Sequence, residues 1–174
     1  MTAFRSLRGL NIPADVIAEL RRGNADAAVA ALTKMASGGN NEANIALVLV
    51  QHWCSAVGSQ RAGDPKARIA KLLNNQPQQP PAPVDGVIYA EVDYMQRARA
   101  SCRAARFDYQ GIEGRLRAAA AAGDPASATE LAQFLRDPAQ REAMLQSAVK
   151  KNYPQAVYKV ATNLLMAVQR GQTT

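Results

Sequence analysis

The sequence is poor in the residue types from which most catalytic and metal sites are built. Its 174 residues include one histidine, two cysteines and one tryptophan, and aromatic residues make up 5% of the chain. A single histidine excludes multi-histidine metal sites, and two cysteines exclude the class of disulfide-dense small domains. The sequence holds no P-loop, dinucleotide-binding fingerprint, zinc-ligand spacing or nucleophile elbow. We therefore expect no metal, no cofactor and no enzymatic activity.

Long apolar runs are also missing. No run approaches the roughly 20 residues that a membrane-spanning helix requires, and no apolar stretch follows Arg5 and Arg8 at the start of the sequence. We therefore expect a soluble chain with neither a membrane span nor a leader peptide in the sequence as it stands. Apolar residues still make up 48% of the chain, which excludes a disordered chain of low hydrophobicity. Abundant alanine with few aromatics indicates closely packed helices.

Proline, glycine and short polar residues occur where helix ends are expected. Proline fits the first turn of a helix, and glycine can adopt the left-handed conformation that ends one. Apolar residues recur every three or four positions between these signals, and no segment alternates as a strand does. The sequence predicts an all-α fold of eight or nine helices: 13–22, 25–37, 42–57, 65–73, 87–106, 114–122, 125–136, 138–151 and 154–170. The last carries an apolar stripe of Val157, Ala161, Leu164, Leu165 and Val168.

A polar segment rich in proline and glutamine separates two helical regions. It begins at Asn74 and includes Pro77, Pro80, Pro81 and Pro83. Such a composition favours an extended conformation. We predict an N-terminal helical half over 1–74, a connector over 75–86 and a C-terminal helical half over 87–174, all within one structural unit.

A short pattern recurs at the expected helix junctions. Glycine or asparagine ends one helix, a capping residue follows, and a helix of small residues begins. The copies start at Gly23, Gly63, Gly123 and Asn152. Since a single helix pair cannot bury its apolar face, recurring pairs are expected to stack on their neighbours.

Two of these stretches resemble a SEL-like repeat, a member of the tetratricopeptide superfamily. Residues 119–128, followed by Leu131 and Leu135, resemble the first helix of such a repeat, and residues 143–156 resemble a second helix leading into the next copy. Residues 22–32 match less of the pattern. Residues 131–135 depart from the family, which usually has Leu-Gly and a later aromatic residue there. The resemblance mainly covers residues 114–170. It implies a short α-solenoid of antiparallel helix pairs that binds proteins as a scaffold or adaptor.

The two cysteines allow two interpretations. Cys54 and Cys102 lie on the apolar faces of their predicted helices, 48 positions apart. A disulfide between them would join the two halves and indicate an oxidising compartment, such as a periplasm, or secretion. Two reduced cysteines would instead act as small apolar residues and indicate the cytoplasm.

Arginine residues dominate the charge between residues 94 and 122. The whole chain has 21 basic and 14 acidic residues, a formal net charge of +7. Arginine binds carboxylate and phosphate groups equally well, so this stretch predicts a surface for an anionic partner, with a solvated helix face as the alternative. The candidate residues are Arg97, Arg99, Arg103, Arg106, Arg115 and Arg117.

These observations favour a non-enzymatic protein-interaction module of the scaffold, adaptor or inhibitor type. It would bind a protein or peptide in a helical-repeat groove and on the arginine-rich face. The first alternative is binding of nucleic acid or another acidic polymer, although aromatic residues for base stacking are scarce. The second is an enzyme that uses Glu91, Asp93 or Glu113 as paired carboxylates, which we instead interpret as surface charges. We expect His52 to be a packed or hydrogen-bonded structural residue.

Overall fold

A computed structural model of the chain describes residue 7, residues 9–59, residues 84–169 and residue 171. This part is all-helical, with eight helices and no strand, as the sequence predicts. The predicted helix over 65–73 and the repeat copy at Gly63 lie outside the described residues. None of the described helices combines the length and hydrophobicity that crossing a bilayer demands. The helices are α1 (Ala14–Arg22), α2 (Ala25–Ser37), α3 (Asn41–Ser59), α4 (Val84–Ala104), α5 (Tyr109–Ala121), α6 (Pro125–Leu131), α7 (Pro138–Val149) and α8 (Pro154–Gln169).

Four helices end in the same hydrogen-bonded motif. In each, a residue with positive φ follows the helix, and its N–H donates to the carbonyl of the residue three positions earlier. The N–H of the following residue donates to the carbonyl five positions before that residue. This is the Schellman motif, which satisfies carbonyls that have no partner within the helix. The left-handed residues are Gly23 (φ +86°), Gly39 (+91°), Gly123 (+94°) and Asn152 (+55°).

These motifs show that a left-handed residue ends the preceding helix at Gly23, Gly123 and Asn152, as the recurring pattern predicts. Asn152 takes the left-handed conformation that glycine takes in the other two copies, which agrees with its place in the pattern. Asparagine tolerates this conformation better than most residues that carry a Cβ. Gly39 forms a further copy that the repeat pattern did not include, with Asn40 as the capping residue. The Asn40 Oδ1 accepts from the Ala43 N–H at 2.9 Å.

Aspartate side chains cap three of the later helices. Asp124 and Asp137 precede prolines at the first turns of α6 and α7, and their carboxylates accept backbone N–H groups of Ser127 and Ala139 at 2.8 and 3.0 Å. Asp108 caps α5 in the same way. The two Asp-Pro pairs therefore start helices as predicted, because aspartate satisfies a free N–H and proline lacks one.

Several predicted helix bounds are wrong. Helix α4 begins at Val84, within the predicted connector, and α5 begins at Tyr109, five residues before the predicted start at residue 114. Gly86 and Gly111 both lie in a first turn, where N–H groups have no helical partner and glycine disrupts no established hydrogen-bond ladder. Helix α6 ends at Leu131, well before the predicted end at Arg136.

The chain divides into two compact units that are discontinuous in sequence. Unit 1 comprises residues 1–34 and 49–107, and unit 2 comprises residues 35–48 and 108–174. The units therefore do not coincide with the predicted halves on either side of the connector. Helices α2 and α3 contribute residues to both units.

In unit 1, side chains of α4 form hydrogen bonds with backbone groups at the junction between α1 and α2. The Tyr94 hydroxyl donates to the Leu20 carbonyl at 3.2 Å, and the Arg97 Nε donates to the Arg22 carbonyl at 3.4 Å. The Ser101 Oγ accepts the backbone N–H of Asp26 at 2.9 Å, in the first turn of α2. Side chains of one helix thus bind backbone groups at the end of α1 and the start of α2.

The same junction lies very close to the backbone of α4. A Cβ placed on Gly23 would lie 3.2 Å from the Ala98 nitrogen and 3.3 Å from the Tyr94 carbonyl oxygen. Ala98 is fully buried. Gly23 is therefore required twice, for its positive φ and for this close approach.

The disulfide interpretation of the cysteines is confirmed. The sulfur atoms of Cys54 on α3 and Cys102 on α4 are 2.05 Å apart, and their Cα atoms are 5.3 Å apart. The described part of the chain has no free cysteine. Arg99, also on α4, donates from Nε to the Val57 carbonyl in the last turn of α3 at 3.2 Å. The bond and this contact hold the second part of α3 against α4 within unit 1.

In unit 2, each helix from α5 to α8 packs against the next, and α8 also packs against α6. One cluster of the core consists entirely of alanine: Ala128 of α6, Ala148 of α7 and Ala156 of α8 are all buried. Ala120, Val149 and Tyr153 surround this cluster. The alanines lie where helices approach closely, as the composition predicts.

The first turn of α3 joins unit 2 through polar side chains. The Asn41 Nδ2 donates to the Asp124 Oδ2 at 2.7 Å, and the Asn41 Oδ1 accepts from the Ser127 hydroxyl at 3.0 Å. Ser127 is completely buried. Asn41 therefore binds both Asp124, which caps α6, and Ser127, whose backbone N–H donates to the Asp124 carboxylate.

The Asn44 amide forms a second polar contact in unit 2. Its Nδ2 donates to the Ile112 carbonyl at 3.2 Å, and its Oδ1 accepts from the Arg115 Nε at 3.0 Å. Asn44 is 1% exposed. Since an unpaired buried amide is costly, these bonds select one position of α3 against α5.

We predict that replacing both cysteines lowers stability. In the chain-entropy account, closing a loop between positions 54 and 102 stabilises the fold by about 4 kcal/mol. The Cys54→Ser/Cys102→Ser variant should therefore unfold at a lower denaturant concentration than the oxidised parent. A reducing agent should lower the parent's midpoint and leave that of the variant unchanged. Equal midpoints for the oxidised parent and the variant would contradict this prediction.

We also predict that acid destabilises unit 2 through Asp124. Burial raises the pKa of this carboxyl, but hydrogen bonds from Ser127, Asn41 and the Ala126 N–H outweigh it and hold the pKa below its usual value of 3.8. With a folded-state pKa below the unfolded one, the carboxylate stabilises the fold above about pH 4. This contribution is lost as pH falls through the folded-state pKa.

The test compares Asp124→Asn with the parent in chemical denaturation at a series of acidic pH values. Asparagine can still cap a helix but does not titrate in this range. Below about pH 4, the variant's stability should fall less steeply with decreasing pH than that of the parent. Asp137→Asn is the matched control, because Asp137 also caps a helix but lacks an equivalent of the Asn41 contact. Parallel curves for the parent and Asp124→Asn would refute the prediction.

Candidate protein-binding surface

The predicted arginine-rich face is distributed over both units. Arg97, Arg99, Arg103 and Arg106 belong to unit 1, and Arg115 and Arg117 belong to unit 2. Each unit has its own charge balance. The sequence range of unit 1 holds thirteen basic and seven acidic residues, whereas that of unit 2 holds eight and seven. Nearly all of the net positive charge therefore belongs to unit 1.

Several of these arginines make contacts within their own unit. Arg97 and Arg99 donate to carbonyls near the C-terminal ends of α1 and α3. The negative end of each helix dipole also stabilises a cation at this position. Arg115 donates to buried Asn44, and the Arg117 Nη2 lies 2.7 Å from the Glu113 carboxylate one turn away. Arg103 and Arg106 are exposed. Arg97 and Arg117 are exposed as well, but their guanidinium groups make the contacts just described.

The carboxylates considered for catalysis are divided between the two units. Exposed Glu91 belongs to unit 1, whereas Glu113 belongs to unit 2 and pairs with Arg117. His52 is exposed on α3, so the expectation that its side chain is packed is wrong. Among the described residues, no three histidine, cysteine, aspartate or glutamate side chains group closely enough to hold a metal ion.

The last helix exposes an apolar surface. In the described part of the chain, every exposed large hydrophobic side chain except Tyr109 belongs to α8. Tyr158, Leu164 and Leu165 are 73%, 63% and 64% exposed. Single exposed hydrophobic residues are normal on protein surfaces, whereas a contiguous exposed group is unusual. The others on α8 are Val157, Met166 and Val168.

Most of these side chains share one side of α8. Val157, Ala161, Leu164 and Val168 are separated by four, three and four positions, which is the spacing of a coiled-coil seam. Leu165 and Tyr158 flank this seam on one side, and Val160 and Ala167 flank it on the other. The eight residues form what we call the α8 stripe. It has no charged residue, although flanking positions of a coiled coil usually carry charges that select a partner.

An adjacent side of α8, next to Val160 and Ala167, packs into unit 2. Ala156 is buried in the alanine cluster, and the Lys159 ammonium lies 3.1 Å from the Glu130 carboxylate on α6. An open polar groove of about 390 Å³ lies along this side. Ion pairing to Glu130 already neutralises Lys159, one of its two cationic residues. Its lining residues are Thr129, Ala132, Gln133, Arg141, Leu145, Lys159 and Asn163.

The sequence identifies the apolar residues of α8 but not their exposure. An apolar stripe at helical spacing normally faces the core, and α8 has a second contact side built around Ala156. Alanine gives little periodic signal in a chain so rich in it. Only the packing of Ala156 and Lys159 shows which side of the helix faces unit 2 and which is exposed.

Comparison with family models, curated proteins and solved structures gives no match to this chain. The resemblance to SEL-like repeats therefore remains a prediction based on the residues given above.

Proposed function

We propose that this chain is a non-enzymatic protein-interaction module and that the α8 stripe is its binding surface. The observation that carries this proposal is the concentration of exposed large hydrophobic side chains on one helix of the described structure. A partner that covers them would gain roughly 25 cal/mol for each Å² of apolar surface removed from water. The spacing of the stripe favours a helix as the covering element.

The proposed repeat architecture supports the same surface. If α5 to α8 form part of a SEL-like stack, successive helix pairs bury one another's apolar faces. The contacts of α8 with both α7 and α6 are consistent with such a stack. The α8 stripe then corresponds to the face on which a further helix would pack. A partner helix would pack on this face in the same way.

We predict that a photo-reactive residue in the α8 stripe forms crosslinks to protein. Benzoylphenylalanine would replace Tyr158, and the control would replace Tyr109, an exposed tyrosine of α5 outside the stripe. After irradiation in the native cellular setting, the variant at 158 should give a discrete crosslinked species, and the control should give none.

Two glutamate substitutions test whether the crosslink depends on the stripe. Leu164→Glu places a carboxylate in the middle of the stripe and should abolish the crosslink from position 158. Thr162→Glu adds the same charge to an exposed position outside the stripe and should leave the crosslink intact. Because both positions are exposed, each change should alter stability by no more than about 0.5 kcal/mol. An absence of any crosslinked species from position 158 would contradict the proposed function.

The charge of unit 1 supports a second candidate function, the binding of nucleic acid. Unit 1 carries six more basic than acidic residues in its sequence range, and Arg103 and Arg106 are exposed. Binding to phosphates would release counterions and would weaken steeply as salt increases. The two candidate functions require different surfaces and can be tested separately.

For this candidate, we predict a gel shift of nucleic acid at low salt that Arg103→Gln/Arg106→Gln weakens. If each arginine neutralises one phosphate, the double variant should reduce the slope of log K against log salt by about 2. Arg117→Gln is the control, because Arg117 is paired with Glu113 in unit 2. An absence of a shift for the parent at low salt would refute this function and leave the role of the α8 stripe unaffected.

A further inference from the structure

We propose that the α8 stripe binds the α8 stripe of a second copy of this chain, with the two helices antiparallel. This inference rests on the proposed function, since it names the partner of the same surface. We infer a second copy as the partner from two properties of the stripe, which are its arrangement of large and small residues and its lack of charge.

The order of residues along the seam is self-complementary. A two-fold axis between residues 162 and 163 would place Ala161 of one copy opposite Leu164 of the other, and Val157 opposite Val168. The two central layers, each formed by one Ala161 and one Leu164, would therefore combine a small and a large side chain, as closely packed helices require. The outer layers would each pair two valines. In the parallel arrangement, Leu164 would meet Leu164 and Ala161 would meet Ala161, which gives layers of unequal width.

The flanking positions follow the same symmetry. In the antiparallel pair, Tyr158 of one copy would lie beside Leu165 of the other, and Val160 would lie beside Ala167. All four are uncharged and either apolar or aromatic, so no like charges oppose each other when two identical surfaces meet. Such a surface lacks the charges that would select an acidic or a basic partner. A symmetric contact in which the same patch serves both subunits satisfies these conditions.

The exposed tyrosine fits the edge of this interface. Tyr158 is 73% exposed, and tyrosine is common in protein interfaces because its ring buries apolar area while its hydroxyl stays in water. On the other side of α8, Lys159 is bound to Glu130. The polar groove therefore stays outside the paired surface.

Sedimentation velocity over a range of protein concentrations tests the association. The parent should show a concentration-dependent equilibrium between monomer and dimer. Leu164→Glu should raise the dimer dissociation constant by about 100-fold, because each dimer would bury two carboxylates, each against an apolar layer. Thr162→Glu should leave the constant within about threefold of the parent value. A parent that remains monomeric, or a Leu164→Glu variant that dimerises like the parent, would overturn the proposal.

Disulfide trapping tests the orientation. The native Cys54 and Cys102 are bonded to each other, so an added cysteine would be the only free thiol. Val157→Cys mixed with Val168→Cys should give a crosslinked heterodimer on mild oxidation, and neither variant alone should crosslink to the same extent. Preferential crosslinking of Val157→Cys to itself would indicate a parallel pair and would overturn the antiparallel assignment.

The second-copy proposal can fail while the proposed binding function stands. Suppose that position 158 crosslinks to a different protein and the parent is monomeric in solution. The second-copy proposal is then wrong, and the proposed binding function stands. If position 158 forms no crosslink and the parent is monomeric, both are wrong. A crosslinked species of twice the chain mass, lost in Leu164→Glu, would support both.

Discussion

The fold depends on satisfying the polar groups at helix ends. A helix leaves N–H groups at its start and carbonyl groups at its end without partners, and a chain of many short helices has many such ends. Schellman motifs satisfy carbonyls after α1, α2, α5 and α7, while aspartates satisfy N–H groups before α5, α6 and α7. Because each solution fixes how the chain enters or leaves a helix, these short motifs constrain the angles between successive helices.

Side chains from distant parts of the sequence complete this scheme. In unit 1, Tyr94 and Arg97 of α4 donate to carbonyls at the end of α1. In unit 2, Asn41 of α3 holds the carboxylate of Asp124 that caps α6. These contacts link residues more than 70 positions apart. The packing of each unit therefore determines whether its helix ends are satisfied, and a displaced helix would leave polar groups unpaired at a cost in free energy.

Local signals in the sequence predict the helix junctions well and the tertiary contacts poorly. Gly23, Gly123 and the Asp-Pro pairs act within one or two turns, so their effects can be recognised in a short window. Asn44 shows the limit: it lies in a segment that the sequence indicates is apolar almost all round, and its role depends on Ile112 and Arg115, far along the chain. Arg97 and Arg99 count as free charges in the sequence, because the carbonyls that they bind belong to other helices.

The candidate site is exposed because α8 packs against unit 2 through a small side chain. Alanine at position 156 lets α8 approach α6 and α7 closely, so the helix joins unit 2 along its small-residue side. The large side chains of α8 then face away from that contact. Had the bulky stripe faced unit 2, the alanine cluster could not have formed, since Leu164 and Leu165 need more space than Ala156. The small-residue packing that builds unit 2 therefore also leaves the large apolar side chains of α8 exposed.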